Sequence, residues 1–322
     1  MMCSLKTAIA MLGLLCVTAV GQEPASTPQA GTPVGHHGPS LSKSELMRQI
    51  LESESAIRLA EAAHAGNEQL AKLYENLAVF YEDVAAYQKS ELALRRAEDL
   101  LRSGPLGEHA SVLGQLARLR VITGNLAEAK KNQVKALRIR ESIGDSIGIA
   151  LSWNDLAKLY IYTKEFGNAV TYARKAMTVL GDNPQVGVAE RIAVRQTLGS
   201  ALCGDHNCGE AITLLSGAIE LARTNFGTNS LDAGVAEYLL GNAYWQNGDM
   251  DAAAKWMAQG ATRMKADQRW GPAVYLNAMT QYARFLRANF QFDAANSVES
   301  EVRTANAVVD VRALADANPA PR

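Results

Sequence analysis

The stretch Trp153-Asn154-Asp155-Leu156-Ala157-Lys158-Leu159-Tyr160 is the part of the sequence that decides the fold. In this stretch a large apolar residue, Leu156, precedes a small one, Ala157, and an aromatic residue follows three positions later. Residues three and four positions apart share one face of an α-helix, so this spacing predicts a helix with an apolar stripe. Because a small side chain lets a second helix approach closely, Ala157 marks an expected contact between two helices.

The small residues recur along the chain with constant spacing. Ala157 is followed by Ala169 after twelve positions and by Ala176 after seven more. The same two gaps separate the members of five further triplets: Ala78, Ser90 and Ala97; Ala117, Ala129 and Ala136; Gly199, Ala211 and Ala218; Gly241, Ala253 and Gly260; and Ala283, Ala295 and Val302. Successive middle members lie 39, 40, 42, 42 and 42 residues apart. A fixed period of this kind predicts an all-α fold of six stacked helix pairs.

Two stretches resemble the tetratricopeptide repeat, in the long form of kinesin light chains. They are Asn76-Leu77-Ala78-x-x-Tyr81, with Glu91 and Arg96-Ala97 further along, and the stretch from Trp153 to Tyr160. The resemblance covers about residues 41–310. The units of this chain are longer than the usual unit of 34 residues. It implies a right-handed superhelix, an α-solenoid of about six helix pairs, with an N-terminal cap helix within Leu41–Ala65. It also implies a protein that binds a peptide or protein partner in a concave groove.

The first forty residues differ in composition from the rest of the chain. Lys6 precedes an uncharged run from Thr7 to Val20, which is the pattern of a secretory signal peptide and is shorter than the ~20 residues that cross a bilayer. We therefore expect a signal peptide at residues 1–21, a flexible Pro/Gly-rich linker at 22–40, the repeat domain at 41–312 and a frayed tail at 313–322. The expected protein is exported, periplasmic or secreted, with no stable membrane span after processing.

Charge and motifs argue against several classes of function. The 322 residues include 32 Lys plus Arg and 33 Asp plus Glu, so no basic excess suggests nucleic-acid binding. The sequence lacks a His-Glu-x-x-His motif and a Gly-Lys-Ser/Thr phosphate loop. His36 and His37 lie in the expected linker, where no fixed geometry supports a metal site. We expect a non-catalytic protein without a cofactor or metal.

The repeat region contains two cysteines, Cys203 and Cys208, separated by Gly-Asp-His-Asn on the expected turn of the fourth unit. In an oxidising compartment they could form a disulfide across that turn. The alternatives are a metal site that includes His206, which lacks a fourth nearby ligand, and two free thiols. The disulfide is the favoured interpretation.

The first helix of each unit is expected to line the groove, so positions beside its packing stripe predict the binding residues. These are Asn76, Arg118, Asn154, Lys158, Tyr162, Gln196, Tyr238, Asn242, Trp245 and Arg284. Amide side chains can bond an extended peptide backbone, and aromatic rings can hold its side chains. The basic members would suit an acidic partner segment. For each residue the alternative is that it only fills space between units.

Two other functions are compatible with the same fold. A solenoid with exposed end faces can self-associate, so a structural homo-oligomer is one alternative. An envelope-polymer hydrolase that uses Glu75, Glu82 and Asp83 in the groove is a second one, and no motif supports it.

Overall fold

The computed structural model describes residues 43–266 and 271–317, and in these ranges the secondary structure is helical with no strand. Thirteen helices occupy these ranges: α1 (Lys43–Ala62), α2 (Asn67–Asp83), α3 (Tyr87–Leu101), α4 (Leu106–Ile122), α5 (Leu126–Ile143), α6 (Ser146–Tyr162), α7 (Phe166–Leu180), α8 (Val188–Gly204), α9 (Cys208–Phe226), α10 (Leu231–Gln246), α11 (Met250–Ala266), α12 (Gly271–Ala288) and α13 (Phe292–Ala317). The expected signal peptide and linker lie outside the described residues.

Helices α2 to α13 form six consecutive antiparallel pairs, from α2 with α3 to α12 with α13. We number these pairs as units one to six and call their members the first and second helix. Each second helix also packs against the first helix of the next unit, and α1 packs against α2 as a cap. The first helices additionally contact one another, α4 with α6, α6 with α8 and α8 with α10. The all-α solenoid predicted by the repeat period is confirmed.

The recurring small residues lie where the two helices of a unit touch. Ala78, Ala117 and Ala157 are buried in their first helices. Unit five has glycine at this position, and a methyl group on Gly241 would lie only 2.5 Å from the backbone nitrogen of Met257. The close approach of the paired helices therefore explains why the position is always small.

The turn inside each unit has the same backbone geometry throughout the chain. One residue per turn has a left-handed conformation: Ala85, Gly124, Lys164, His206, Gly248 and Phe290. In unit three, Lys164 N–H donates to Ile161 O at 3.1 Å and Glu165 N–H donates to Tyr160 O at 2.8 Å, and equivalent bonds occur in the other five units. These bonds satisfy carbonyls at the end of the first helix. The turns thus repeat with the period of the small residues.

The end of the chain differs from the expectation. The frayed tail was expected from residue 313, whereas α13 continues to Ala317. Residues 311–317 are rich in alanine with leucine and arginine, which are strong helix formers. Across the described parts of the chain, none of the helices combines the length and apolar character that a membrane crossing requires.

Candidate functional site

The first helices form the inner layer of the solenoid, because they are the helices that contact one another between units. One side chain per unit, directly after the small packing residue, lies on this layer and is exposed or half-exposed. We define the concave groove by these six residues: Val79, Arg118, Lys158, Ser200, Asn242 and Arg284. The groove is therefore continuous along units one to six, with one accessible side chain at each step.

The predicted groove residues divide into three groups by exposure. Asn76, Arg118, Lys158, Tyr162 and Arg284 are exposed. Gln196, Asn242 and Trp245 are half-buried, and Asn154 and Tyr238 are buried. Eight of the ten predicted residues are thus at least partly accessible to a partner.

Tyr238 does not present its side chain to the groove. It is 6% exposed, and its hydroxyl donates to the carbonyl oxygen of Ala278 at 2.8 Å. Burial raises the pKa of Tyr238 above its ordinary value. Because this bond joins α10 to α12, Tyr238 fills the space between units five and six, which corrects its assignment as a ligand contact.

Two half-buried residues of the predicted groove set, Gln196 and Trp245, also make contacts between first helices. Nε2 of Gln196 on α8 donates to the carbonyl oxygen of Asp232 on α10 at 3.2 Å. The ring of Trp245 on α10 meets the edge of Phe285 on α12, with centroids 5.5 Å apart and planes at 75°. Both residues therefore combine packing between units with partial exposure in the groove.

The basic residues of the groove already have polar partners. Arg118 on α4 makes two hydrogen bonds to the carboxylate of Glu82 on α2, at 2.6 and 3.1 Å. Nζ of Lys158 lies 3.1 Å from Oδ1 of Asp155. These carboxylates neutralise Arg118 and Lys158, so units two and three offer less attraction to an acidic partner than the sequence predicted. Nη1 of Arg284 donates to the neutral Oε1 of Gln281 at 3.4 Å, so its positive charge is not neutralised by this contact.

Several buried polar side chains lie beneath the groove in units one to three. Nε2 of Gln115 on α4 donates to Oε2 of Glu75 on α2 at 2.6 Å. Nε2 of Gln133 on α5 donates to the carbonyl oxygen of Ser152 at 3.4 Å and to Oδ2 of Asp155 at 3.5 Å. Burial raises the pKa of the Glu75 carboxyl, which nearby Lys72 and the bond from Gln115 oppose.

Sequence reasoning missed Gln133 as a functional candidate because it belongs to a second helix. A signal was nevertheless present, since the equivalent residues of units one, four and five are Leu94, Leu215 and Met257, all buried and apolar. The same position is Ala173 in unit three and the half-buried Glu299 in unit six, so Gln133 is the buried polar residue of this set.

The two cysteines are joined by a disulfide across the turn of unit four, and their Cα atoms lie 4.2 Å apart. Both residues are buried, and His206 between them has the left-handed conformation of the repeated turn. Over residues 43–266 and 271–317, no group of three or more His, Cys, Asp or Glu side chains could hold a metal ion.

The fold is similar to solved structures of low sequence identity. The apo form of RapI gives a TM-score of 0.67 at 14% identity, covering 82% of this chain and 94% of RapI. The Rap conjugation gene regulator of the plasmid pLS20, in complex with the Phr* peptide, gives 0.66 at 14% identity, covering 83% and 71%. BtubC (BKLC) from P. vanneervenii gives 0.57 at 20% identity, covering 69% and 91%. At these identities the similarity establishes the fold alone.

The sequence itself matches a family model. No curated protein is significantly similar to this chain. Residues 108–181 and 190–266 match the model described as the tetratricopeptide repeat. The matched residues include all of units three and five, and all but the first two residues of units two and four. These matches cover slightly less than half of the chain, and together with the six helix pairs they show that the chain is similar to tetratricopeptide-repeat proteins.

Proposed function

We propose that this protein is a non-catalytic scaffold that binds a peptide or protein partner in the concave groove. The observation that carries the proposal is the row of accessible side chains, one per unit, on the inner layer of first helices. A groove of this kind can contact an extended chain at regular intervals. The peptide-bound Rap regulator, which has a similar fold, supports a peptide as the partner class.

The accessible groove residues supply two kinds of contact. Asn76, Gln196 and Asn242 carry amides, which both donate and accept hydrogen bonds and so suit a peptide backbone. Tyr162 and Trp245 supply ring surface for side chains of the partner, and Tyr162 is half exposed at the end of α6. We therefore propose that the partner's side chains are recognised on units three and five and that its backbone is recognised on units one, four and five.

The proposal includes the absence of catalysis. Scaffolds of this repeat family are generally non-catalytic. Two of the three carboxylates that the hydrolase alternative would use have structural partners: Glu75 accepts from Gln115, and Glu82 pairs with Arg118. Groups held in this way are poorly placed for proton transfer to a substrate.

The proposal also includes export from the cytoplasm. Its support is the signal-like pattern of residues 1–21 and the presence of a disulfide in unit four, since disulfides persist in oxidising compartments. Cell fractionation with mass spectrometry of the mature amino terminus tests it. Cleavage after residue 19 or 21 supports export, and an intact cytoplasmic chain with free thiols contradicts it.

The binding proposal is tested with an array of random dodecapeptides. The groove variant is Tyr162→Ala plus Trp245→Ala, and the control is Leu92→Ala plus Phe292→Ala, which removes exposed apolar surface from second helices. We expect the unmodified chain and the control to bind the same peptides, and the groove variant to lose them while keeping its helical circular dichroism. Full binding by the folded groove variant would refute the proposal.

A further inference from the structure

A single histidine is buried in the described part of the chain, His109 in the first turn of α4. It is 5% exposed, whereas His64 and His206 lie on exposed turns. Nε2 of its ring is buried and has no hydrogen-bond partner among the described residues. Ala110 and Leu113, which follow it on α4, belong to the apolar contact with α5. The imidazole is therefore enclosed in surroundings that disfavour a charge.

One carboxylate oxygen lies between this ring and a lysine. Oε1 of Glu98 on α3 accepts a hydrogen bond from Nζ of Lys135 on α5 at 3.0 Å. The same oxygen lies 3.8 Å from Nε2 of His109 on α4, which is too long for a hydrogen bond. Three helices of units one and two thus meet at one oxygen, and the lysine occupies it.

The charges around the imidazole oppose one another. Lys135 on α5 and Arg102 on α3 disfavour a protonated ring, whereas Glu98 on α3 favours it. Arg102 is itself paired with Asp99 at 2.6 Å, and Glu108, which precedes the histidine on α4, is exposed. Burial is the largest influence and Lys135 is the next, so the pKa of the imidazole is lowered below its ordinary value. The ring is therefore neutral near neutral pH.

The other five units lack a group of this kind at the same position. The equivalent residues are Leu70, Ile149 and Ala233 in units one, three and five, and Arg191 and Tyr275 in units four and six. None of these five side chains has an ordinary pKa between about 5 and 8, which is the range of histidine. A charge that changes near neutral pH is thus a special feature of the junction between units one and two.

The helices beside this junction also contain most of the buried polar atoms without partners. Five of the six such side-chain atoms in the described residues belong to α4, α5 and α6. A buried polar atom without a hydrogen bond destabilises the packing around it. Local opening of this part of the chain is therefore less costly than opening of a fully paired core.

We propose that His109, Glu98 and Lys135 form an acid-sensitive switch that loosens the junction between units one and two. A proton from solvent binds the neutral ring, and both ring nitrogens are then N–H donors. Nε2 lies next to Oε1 of Glu98, so the imidazolium competes with Lys135 for this oxygen. Because a buried charge without a partner is costly, the form in which the first turn of α4 opens to solvent gains population. This inference concerns the chain alone and does not depend on the proposed partner.

The pH range of the switch follows from the pKa shifts. The pKa of His109 is lower in the closed junction than in the open one, so the closed form loses stability as pH falls below about 6.5. Glu98 remains ionised in this range, because burial, which raises its pKa, is outweighed by Lys135 and the other nearby cations. A comparison of about pH 7.5 with about pH 5.5 therefore reports on the histidine.

Hydrogen–deuterium exchange of the full chain at these two pH values tests the proposal, with each rate corrected for its intrinsic pH dependence. The readout is the opening of residues 101–113 at the acid pH divided by that at the neutral pH. We expect this ratio to be several-fold in the unmodified chain, with a ceiling of about tenfold set by an ordinary histidine pKa in the open form. His109→Gln should bring the ratio close to one. The control His64→Asn changes an exposed histidine and should leave the ratio unchanged.

Two further variants keep the histidine and test the shared oxygen. Lys135→Met removes the competing cation, so the imidazolium gains Glu98 and the ratio should fall. Glu98→Gln removes the only carboxylate that favours the imidazolium, so the ratio should rise. Lys131→Met is the matched control for the lysine, because Lys131 lies one turn earlier on α5 and is 74% exposed. It should leave the ratio unchanged.

Three results would overturn the inference. A ratio close to one in the unmodified chain shows that the junction does not respond to acid. A ratio that persists in folded His109→Gln assigns the response to another group. Shifts of the same sign in Lys135→Met and Glu98→Gln, which can be read even where His109→Gln does not fold, show that the two residues do not compete at one oxygen.

Discussion

Nε2 of Gln115 lies 2.6 Å from Oε2 of Glu75, and this buried contact joins the first helices of units one and two. The exposed pair of Arg118 and Glu82 joins the same two helices. The inner layer is thus connected by polar contacts at the amino-terminal end. At the carboxy-terminal end, the rings of Trp245 and Phe285 and the hydrogen bond from Tyr238 to Ala278 join the first helices of units five and six.

The buried Glu75 should make stability depend on pH. Burial raises its pKa above that of the unfolded chain, so the folded state binds its proton more tightly. Stability is therefore lost as pH rises through the raised pKa. We expect Glu75→Gln to increase the free energy of unfolding near about pH 7.5 and to leave it unchanged below about pH 4, where Glu75 is neutral in both states. Urea unfolding at both pH values measures this. A loss of stability for Glu75→Gln at both would contradict it.

Glu237 is the most strongly buried carboxylate of the described chain that forms ion pairs. It is 0% exposed and lies 2.7 Å from Arg223 of α9 and 2.7 Å from Arg263 of α11. Removing one member of a buried pair leaves uncompensated charge, so we expect Glu237→Gln to lower the free energy of unfolding by about 3 kcal/mol. The matched control is Glu210→Gln, which breaks an exposed pair with Arg174 and should cost less than about 1 kcal/mol. Equal losses of unfolding free energy in Glu237→Gln and Glu210→Gln would contradict this prediction.

The same substitution should have opposite effects at two glycines. Gly248 has φ = 88° in the turn of unit five, a conformation that disfavours a side chain, so Gly248→Ala should cost about 1 kcal/mol. Gly217 lies inside α9 with open space around an added methyl, so Gly217→Ala should stabilise the chain by about 0.5–1 kcal/mol. Thermal unfolding of both variants decides the matter, and a change of the same sign in both would count against the turn geometry.

Adding even one methyl group at the small packing position should destabilise the fold. At Gly241 the added carbon would lie 2.5 Å from the backbone nitrogen of Met257, and a backbone atom cannot move aside cheaply. We expect Gly241→Ala to lower stability by about 1–3 kcal/mol, despite the better helix propensity of alanine. Gly217→Ala again serves as the control. A stability gain at Gly241 would show that the paired helices are further apart than described.

The sequence was sufficient to predict the solenoid because its period depends on contacts inside each unit. The small residue of the first helix and the left-handed turn residue both repeat with spacings of 39 to 42. The sequence of each unit therefore contains the spacing that predicts its helix pair. The continuation of α13 to Ala317 could not be predicted in this way, because the residues after Val302 have no further unit to match.

The groove was predictable only in part, since exposure depends on neighbouring units. Asn76, Arg118, Lys158 and Arg284 follow from their position on one helix and are accessible. Tyr238 is buried against the next unit, where its hydroxyl donates a hydrogen bond to the carbonyl oxygen of Ala278. The buried Gln133 of α5 lies beside the buried Gly114 of α4, a relation between two helices that no single-helix pattern contains.

The central claim is that a partner binds along the first helices, and hydrogen–deuterium exchange of the chain with and without a selected dodecapeptide tests it most directly. We expect slowed exchange in α4, α6, α8 and α10, with little change in α5, α7, α9 and α11. Protection confined to the second helices, or to the end helices α1 and α13, would contradict it.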